Sequence, residues 1–373
     1  MSETGTESEG GSGTAVVVGA GIGGLATAVG LRRAGWEVTV LERRTAPERY
    51  GTAFGIHPTA QGALDRLGWP PSRSNGFERR AGRPELLASR PDLIDALIAG
   101  LDRLGGARIA YGQRLADPAA LDADLIVGAD GINSVVRAAH FGGESGPHPI
   151  GTVAWIGIAG FETGLYGETW GAGGFFGMTP VEAGRPHQLV RHRPRGDHRP
   201  TGTGSLRRLA RPIPRVPAGT DPATWIRCEM RHLYPALRTF VADGRIALVG
   251  GAAHAMTPNL GQGACTALLD AEALDRAVSS AGPAGPAGHA GLPGALRAYD
   301  TERRRSAQRV AFGSRKLHRF MTGRRPALRD ALVRLLPKSW RKGWTTARRT
   351  GRRTAGGATP NQVGARQWRA TGT

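Results

Sequence analysis

The sequence is poor in three features, and each shortage excludes a class of protein. Its 373 residues include only two cysteines, Cys228 and Cys265, too few for a disulfide framework or a cysteine-rich metal site. This cysteine content is typical of a reducing cytoplasm, which we expect to be the location. No run of about 18 uncharged apolar residues occurs, so no transmembrane helix is predicted. Acidic residues are nearly missing after residue 302, where Asp330 is the only one.

The shortage of acidic residues is confined to the C-terminal part of the chain. Residues 303 to 373 carry 20 of the 50 Lys and Arg, which leaves 30 basic and 29 acidic residues in the body. A basic tail of this kind could contact nucleic acid, an anionic membrane surface or an acidic protein, but a solvated arginine-rich tail is the commoner explanation. We expect no specific nucleic-acid partner and keep a weak membrane-surface or anionic contact as an alternative.

The clearest motif is TAVVVGAGIGGLATAVGLRRAGWEVTVLERR at residues 14 to 44, which predicts a strand, a helix and a second strand. Its glycines follow the spacing G-x-G-x-x-G. Gly19 makes a tight turn, Gly21 lets the backbone approach a pyrophosphate, and Gly24 allows close packing of helix and strand. Glu42 ends the second strand, where it can accept hydrogen bonds from a ribose. The segment therefore predicts a dinucleotide site.

Two later strand ends indicate which dinucleotide binds. They are DLIVGADGINSVVR at residues 124 to 137 and LVGGAAHAMTPNLGQGACTA at residues 248 to 267. With these motifs and the pair Glu42 and Arg43, the chain resembles the group A FAD-dependent aromatic hydroxylases, above all the single-component salicylate, urate and 3-hydroxybenzoate hydroxylases. The resemblance runs from about residue 14 to residue 320, with the three motifs in the family's order.

The resemblance implies an FAD site built from several parts of the chain. The ADP half would be held by Gly19, Gly21, Gly24, Glu42 and Arg43. The flavin pyrophosphate would lie beside Arg90, and the motif that serves both FAD and the nicotinamide would comprise Asp130, Gly131, Ser134 and Arg137. The loop and helix start beneath the flavin ring would contain Pro258, Gly261, Gln262 and Gly263. A helix N-terminus there suits the anionic edge of a reduced flavin.

Three departures from the family pattern bear on function. Gly251 stands where the family has an aspartate in Gly-Asp-Ala-Ala-His, and that aspartate would accept a hydrogen bond from the ribityl chain. Losing one charge-assisted hydrogen bond costs roughly 1.5–3 kcal/mol, so we expect weaker FAD binding. Residues 110 to 131 leave little room for the family's β-hairpin, and Ile156 follows Trp155 where many relatives have an arginine.

The resemblance also implies a reaction. NADH or NADPH, bound transiently, would reduce FAD, and oxygen would then give a C4a-hydroperoxyflavin that transfers one oxygen atom to a small aromatic or unsaturated molecule. The substrate pocket is predicted to include His57, Trp155, Trp170 and Phe175. No side chain is assigned as acid or base, because His254 is better interpreted as fixing the flavin-binding turn. No metal site is predicted.

Two other functions remain open. One is an FAD-dependent dehydrogenase or reductase acting on an apolar substrate. The other is a flavin-poor relative that binds a partner through its basic tail.

The fold class predicted is α/β, with a Rossmann-type FAD-binding domain, an inserted antiparallel sheet and a C-terminal helical tail. Residues 1–13 are predicted to form a disordered leader, residues 14–150 and 235–300 the FAD-binding domain, and residues 151–234 the substrate-covering domain. Residues 301–373 are predicted to form the basic helical tail. The histidines and arginines of residues 191 to 200 are predicted to lie in a solvated loop.

Overall fold

The structure is a computed structural model. It describes residues 13–49, 53–68, 78–79, 86–158, 167–171, 174–180, 187–194, 225–279, 291–323 and 344–346, with residues 223, 329, 331 and 335. The predicted leader, apart from residue 13, and most of the tail after residue 323 lie outside the described residues.

The first sheet contains six strands, five of them parallel. Its strands are β1 (Thr14–Val18), β2 (Glu37–Glu42), β6 (Ala107–Tyr111), β7 (Leu125–Gly128), β13 (Val241–Ala242) and β14 (Ile246–Leu248). Their order is β13-β14-β7-β1-β2-β6, and only β13 runs antiparallel to its neighbour. Every residue of β7 and β14 is buried, because helices or connecting segments cover both faces of a parallel sheet.

Seven helices are found in the described part of the chain. They are α1 (Ile22–Arg33), α2 (Pro58–Arg66), α3 (Arg90–Leu104), α4 (Val135–His140), α5 (Gly251–His254), α6 (Gly263–Val278) and α7 (Leu292–Met321). Helices α1 and α6 pack closely, since a Cβ added at Gly30 would lie 2.7 Å from Cβ of Asp275. None of the described helices is long and apolar enough to cross a bilayer.

The second sheet is the predicted antiparallel insertion. Its strands are β8 (Gly146–Ile158), β9 (Gly167–Gly171), β10 (Gly174–Pro180), β11 (His187–Pro194), β12 (Ile226–Tyr234) and β15 (Trp344–Thr346). Their order is β12-β8-β11-β10-β9-β15, with only β15 parallel to its neighbour. A third, small antiparallel sheet contains β3 (Ala53–Ile56), β4 (Glu78–Arg79) and β5 (Leu86–Ser89), and β10 contacts β3.

The structure moves three predicted boundaries. The antiparallel sheet begins at Gly146 rather than residue 151, because β8 continues through a bulge near Gly151. The division at residues 300 and 301 falls inside α7, and Glu302 and Arg303, just after that division, bond to α6. Residues 191–194, predicted as loop, form the end of β11.

Between β6 and β7 the chain contains a single short 3-10 turn and no strand, so the family's hairpin is absent from this fully described segment.

Candidate active site

The predicted motifs meet along one edge of the parallel sheet. Strands β14, β7, β1 and β2 are neighbours, so their carboxyl ends lie side by side. The Gly19 amide donates to the Leu41 carbonyl at 2.7 Å, and the Ala129 amide donates to the Val18 carbonyl at 2.8 Å. Ligands of open α/β sheets bind outside such strand ends. The structure therefore brings the three sequence motifs to one site.

The three glycines of the first turn differ in what surrounds them. Gly19 has φ +109°, and a Cβ there would lie 2.6 Å from the Ala129 carbonyl oxygen. A Cβ at Gly24 would lie 1.9 Å from the Gly19 carbonyl oxygen. This distance is too short for any Cβ atom, so only glycine fits at this position. Gly21, by contrast, faces open space and begins α1 without a capping side chain. The free amides at this helix start can therefore face a pyrophosphate.

Glu42 is buried and held in place by the backbone. Its two carboxylate oxygens accept the amides of Ala20 at 2.8 Å and Arg44 at 2.9 Å. Each oxygen keeps a further lone pair for a ribose hydroxyl. Arg43 is exposed, so the structure places it at the site's rim. Arg90 begins α3, and its guanidinium lies 3.7 Å from the Glu48 carboxylate.

Asp130 and Gly131 follow β7 at the centre of the site. One oxygen of Asp130 accepts the Val135 amide at 2.7 Å, whereas its other oxygen, Oδ1, is buried with no hydrogen-bond partner among the described residues. Gly131 has φ +78° and open space on its Cβ side. Gly251 lies against this motif, since a Cβ there would be 3.2 Å from Cα of Gly131. The residue that departs from the family pattern thus lies next to the Asp-Gly motif.

Ser134 and Arg137 support the same motif from α4. The Ser134 hydroxyl accepts the Arg137 amide at 2.9 Å and caps the helix. The Arg137 guanidinium donates to the carbonyls of Ala252 at 2.9 Å and Ile132 at 2.7 Å. Burial lowers the pKa of Arg137, and Asp130 partly opposes this shift. Arg137 therefore ties the Asp-Gly motif to α5.

The flavin loop, residues 255–262, connects α5 to α6. It contains the 3-10 turn Pro258–Leu260, and Gly261 follows in the left-handed conformation at φ +64°. Gln262 is the N-cap of α6 but makes no side-chain cap, and Gly263 is the first residue of the 16-residue helix. Added Cβ atoms at Gly261 and Gly263 would meet open space. The free amides of the helix start thus face an open region.

A buried charge network stands behind this loop. Asp270 of α6 accepts hydrogen bonds from His254 Nε2 at 2.5 Å, the Gly250 amide at 3.0 Å and Arg303 Nε at 3.0 Å. Burial alone would raise the pKa of Asp270, but His254, Arg303 and the Gly250 amide outweigh it and lower this pKa. His254 has 2% side-chain exposure and is committed to Asp270. This agrees with a histidine that fixes the turn.

Helix α7 holds the flavin loop from outside. The Ser314 hydroxyl bonds to the hydroxyl and the carbonyl of Thr257, at 2.9 and 2.5 Å. His318 lies between Asn259 of the loop, 3.2 Å from Nδ1, and Thr152 of β8, 3.1 Å from Nε2. Burial, with Arg319 and His232 adding to it, lowers the pKa of His318 to about 4. A neutral ring therefore joins the loop to the antiparallel sheet.

This contact shows which face of the antiparallel sheet looks toward the flavin loop. Thr152 alternates with Ala154 and Ile156 along β8, so these three share the face on which His318 packs. The register places Trp170 and Phe175 in one cross-strand row with Ala154. The predicted positions of Trp170 and Phe175 therefore belong to the flavin-facing side, although their side chains lie outside what the structure describes.

Trp155 is on the opposite face, so it cannot share a single-faced pocket with that row. Its cross-strand row contains Phe176, and both residues are buried. A Cβ at Gly157, two residues further along β8, would lie 2.8 Å from the Trp225 ring. Trp155, predicted to lie in the substrate pocket, thus packs on the sheet face opposite to the row of Trp170 and Phe175. The sequence could not show this, because the face depends on the register of the neighbouring strands.

His57 lies near the start of α6. It is the N-cap of α2, with no side-chain cap, and it is partly exposed. The thiol of Cys265 donates to the Gly55 carbonyl at 3.3 Å, which holds the turn between β3 and α2 against the first turn of α6. Burial raises the pKa of the Cys265 thiol, so this group is an unreactive packing element.

The residues at this edge fit FAD. A buried acceptor without a partner at Asp130, open space at Gly21, Gly261 and Gly263, and the ribose-binding position at Glu42 are the features that such a dinucleotide needs. Among the described residues, no group of three or more His, Cys, Asp or Glu is placed to hold a metal ion.

Sequence reasoning missed the residues of α7. Arg303 was assigned to a basic tail, yet it is 7% exposed and paired with Asp270. Its position, four residues after Tyr299 and four before Ala307, could have revealed a buried stripe. Ser314 and His318 continue that stripe. The sequence did not indicate that Ser314 and His318 are buried, because polar residues are ordinarily expected on an exposed face.

Comparison with protein families agrees with this geometry. A family described as "FAD binding domain" matches residues 106–314, and one described as "FAD dependent oxidoreductase" matches residues 14–130. The first match covers more than half of the chain and ends within α7.

Characterised relatives include three kinds of oxygenating enzyme. The "Aurachin C monooxygenase/isomerase" of Stigmatella aurantiaca is 32% identical over 352 residues, covering 82% of this chain and 88% of that protein. An "FAD-dependent urate hydroxylase" of Klebsiella pneumoniae is 30% identical, covering 70% and 80%. The "2-heptyl-3-hydroxy-4(1H)-quinolone synthase" of Pseudomonas aeruginosa is also 30% identical, covering 70% and 80%.

Solved structures share the fold. The crystal structure of Klebsiella pneumoniae HpxO complexed with FAD and uric acid has a TM-score of 0.68 and 24% identity, covering 86% of this chain and 91% of that one. With the strand-end motifs and the relatives above, these findings confirm the resemblance that the sequence indicated. The chain belongs to the group A FAD-dependent monooxygenases.

Proposed function

We propose that this monooxygenase oxygenates an uncharged, largely apolar aromatic or heteroaromatic ring. The observation that carries the proposal is the position of Ile156 on the sheet face that looks toward the flavin loop. Many relatives have an arginine at this point of the motif, and an arginine would favour an anionic substrate. An isoleucine offers only dispersion contacts and no partner for a carboxylate.

The rest of this face supports the same substrate class. Ile156 pairs in register with Val190, and its row continues through Gly177 to Glu168. The next row contains Ala154, His192 and Phe175. Neither row has an arginine or a lysine, and Glu168 adds a negative charge, so a bound carboxylate or urate anion would lose its hydration without gaining a permanent cation as a partner. A flat, uncharged ring with an apolar substituent would lose little hydration free energy on entering such a pocket.

One of the relatives is named for a compound with such a ring. The Pseudomonas enzyme is named for a product with a quinolone ring and a heptyl chain, whereas the Klebsiella enzyme is named for urate. The apolar face favours the quinolone type. Bound FAD supplies the activated oxygen, and the protein supplies orientation, exclusion of water and the positive helix start at Gly263.

The test compares three compounds with the FAD-loaded enzyme, NADH or NADPH, and air. They are the 2-heptylquinolone that lacks the 3-hydroxyl group of the relative's product, uric acid, and salicylate. We expect only the quinolone to accelerate nicotinamide oxidation and to yield a hydroxylated product in place of hydrogen peroxide. Acceleration by urate or salicylate but not by the quinolone would show that the proposed substrate class is wrong.

A charge swap sharpens the test. I156R introduces a cation on the flavin-facing side, so we expect quinolone turnover to fall and salicylate binding to rise. I226R is the matched control, because Ile226 lies in the same row on the edge strand and is 44% exposed. A cation there remains solvated. It should leave both compounds unaffected.

We infer a cytoplasmic location from the reductant that the enzyme uses and from the state of its cysteines. The reductant, NADH or NADPH, is supplied there. Both cysteines are free thiols, Cys228 exposed and Cys265 buried, as is typical of a reducing compartment.

A further inference from the structure

Helix α7 has two faces of opposite character. The buried face contains Leu296, Tyr299, Arg303, Ala307, Ser314, His318 and Met321. The exposed face contains Arg305, Arg309, Phe312, Lys316 and Arg319, at spacings of four and three residues. Residues so spaced lie on one side of a helix. We call these five residues the basic-aromatic stripe.

The four cations of the stripe are not neutralised by the part of the chain that the structure describes. None of them has an ion pair there, whereas the neighbouring Arg304 pairs with Asp300 at 3.1 Å. No acidic residue occurs between residues 303 and 323. Residues 324–373 carry 13 Lys and Arg and one Asp, so their composition offers almost no negative charge to neutralise the stripe.

An exposed aromatic ring stands at the centre of these charges. Phe312 is 59% exposed, and the Lys316 ammonium lies 4.5 Å from its ring centroid. Tyr234 of β12, 51% exposed, carries the Arg315 guanidinium 4.9 Å from its ring centroid. A large apolar side chain flanked by cations on the outside of a helix is the pattern by which helices lie on anionic membranes.

A bilayer fits this surface better than a nucleic acid does. The stripe lies on the outer side of a helix whose other side is buried, so it forms a ridge. Sites for single-stranded nucleic acid are grooves that follow the backbone. A bilayer is broad enough to receive a ridge, and its headgroup layer can accept the Phe312 ring together with the charges around it.

We propose that the basic-aromatic stripe docks this enzyme on an anionic phospholipid surface. Phe312 enters the headgroup layer, and the flanking arginines and lysine pair with lipid phosphates. The proposal is independent of the substrate class proposed above.

The test is cosedimentation of the FAD-loaded, full-length protein with vesicles. Vesicles of phosphatidylcholine alone are compared with vesicles that also contain phosphatidylglycerol. We expect binding only to the anionic vesicles, and binding that weakens as salt is added. R305E/R309E should lower the partition coefficient by roughly 30-fold or more, since each lost cation near the surface is worth about fivefold and the reversed charge adds repulsion. F312S should lower it about threefold to tenfold.

The control is R108E/R114E, which makes the same change of charge at exposed positions on β6 and the loop after it. It should bind as the wild type does. No binding of the wild type to anionic vesicles would overturn the proposal, as would unchanged binding of R305E/R309E. If F312S binds fully and duplex DNA competes equally with the vesicles, the stripe recognises polyanions and the lipid assignment is wrong. Sedimentation does not depend on turnover, so an incorrect substrate class cannot mimic these outcomes.

Discussion

The two halves of the FAD site are held by different means. The ADP half, from β1 to the end of β2, is fixed mainly by backbone contacts within 30 residues, at Gly19, Gly24 and Glu42, while Gly19 also packs on the Ala129 carbonyl after β7. The flavin half is a loop fixed by side chains of α7 that follow it by more than 50 residues, such as Ser314 and His318. The first half is therefore set by local geometry, and the second by tertiary packing.

The largest expected effect comes from disrupting the tertiary contacts that hold the flavin half. R303M leaves the buried Asp270 without its guanidinium partner, and removing one member of a buried ion pair typically costs about 3–5 kcal/mol. We expect a loss of this size in urea unfolding, together with loss of bound FAD. R304M is the control, because Arg304 is partly exposed and pairs within one turn of the helix, so it should cost less than about 1 kcal/mol. Equal losses of unfolding free energy in the two variants would contradict the stabilising role of the Arg303–Asp270 ion pair.

The local half is tested by two glycine variants that differ only in their surroundings. G24A puts a Cβ 1.9 Å from a carbonyl oxygen, and overpacking against fixed backbone costs about 3 kcal/mol. It should lower the melting temperature and abolish FAD retention. G21A faces open space, so its melting temperature without FAD should stay near that of the wild type while its FAD affinity falls. A matching loss of stability in both would show that Gly21 is structural only.

Gly251 lies where the two halves meet, and G251D restores the family's aspartate. We expect FAD to bind roughly tenfold more tightly, because one charge-assisted hydrogen bond is worth about 1.5–3 kcal/mol and the tight approach to Gly131 offsets part of it. Titration of the apoprotein with FAD, followed by flavin fluorescence, measures the change. G251A separates the two contributions, since it adds the Cβ without the carboxylate and should bind FAD no better than the wild type.

The last prediction concerns acid stability. Burial lowers the pKa of His318 and of His232 to about 4, with nearby arginines adding to the shift. In the unfolded chain both rings bind protons near pH 6.5. Unfolding therefore takes up protons, and stability falls as the pH drops from 6.5 to 4. The slope for His318 is at most about 1.4 kcal/mol per pH unit, and that for His232 is smaller because solvent screens it more.

H318Q should remove one ring's share of that slope in urea unfolding measured between pH 7 and pH 4.5. T152V breaks the same contact to β8 without removing a titratable group. It should lower stability equally at every pH. A wild-type slope in H318Q would show that this ring does not titrate as the structure indicates.

The same difference explains what the sequence could predict. The first βαβ unit was predicted within residues 14 to 44, where β1, α1 and β2 are found, because its signals are local. The meeting of Asp130 and the flavin loop at the sheet edge followed from the strand-end rule. The role of His318 did not, because it depends on a contact to Asn259 made across 59 residues. The face of Trp155 likewise depended on strand register.

The position of α7 late in the chain sets an order on biosynthesis. The backbone contacts within the first βαβ unit can form once residue 44 has emerged from the ribosome and β2 has paired with β1, whereas Gly19 meets Ala129 only after β7 has been made. The flavin loop cannot be fastened until Ser314 and His318 have also been made. A nascent or truncated chain that ends before α7 therefore lacks the side chains that fasten the flavin loop, so stable capture of the flavin ring marks a nearly finished polypeptide.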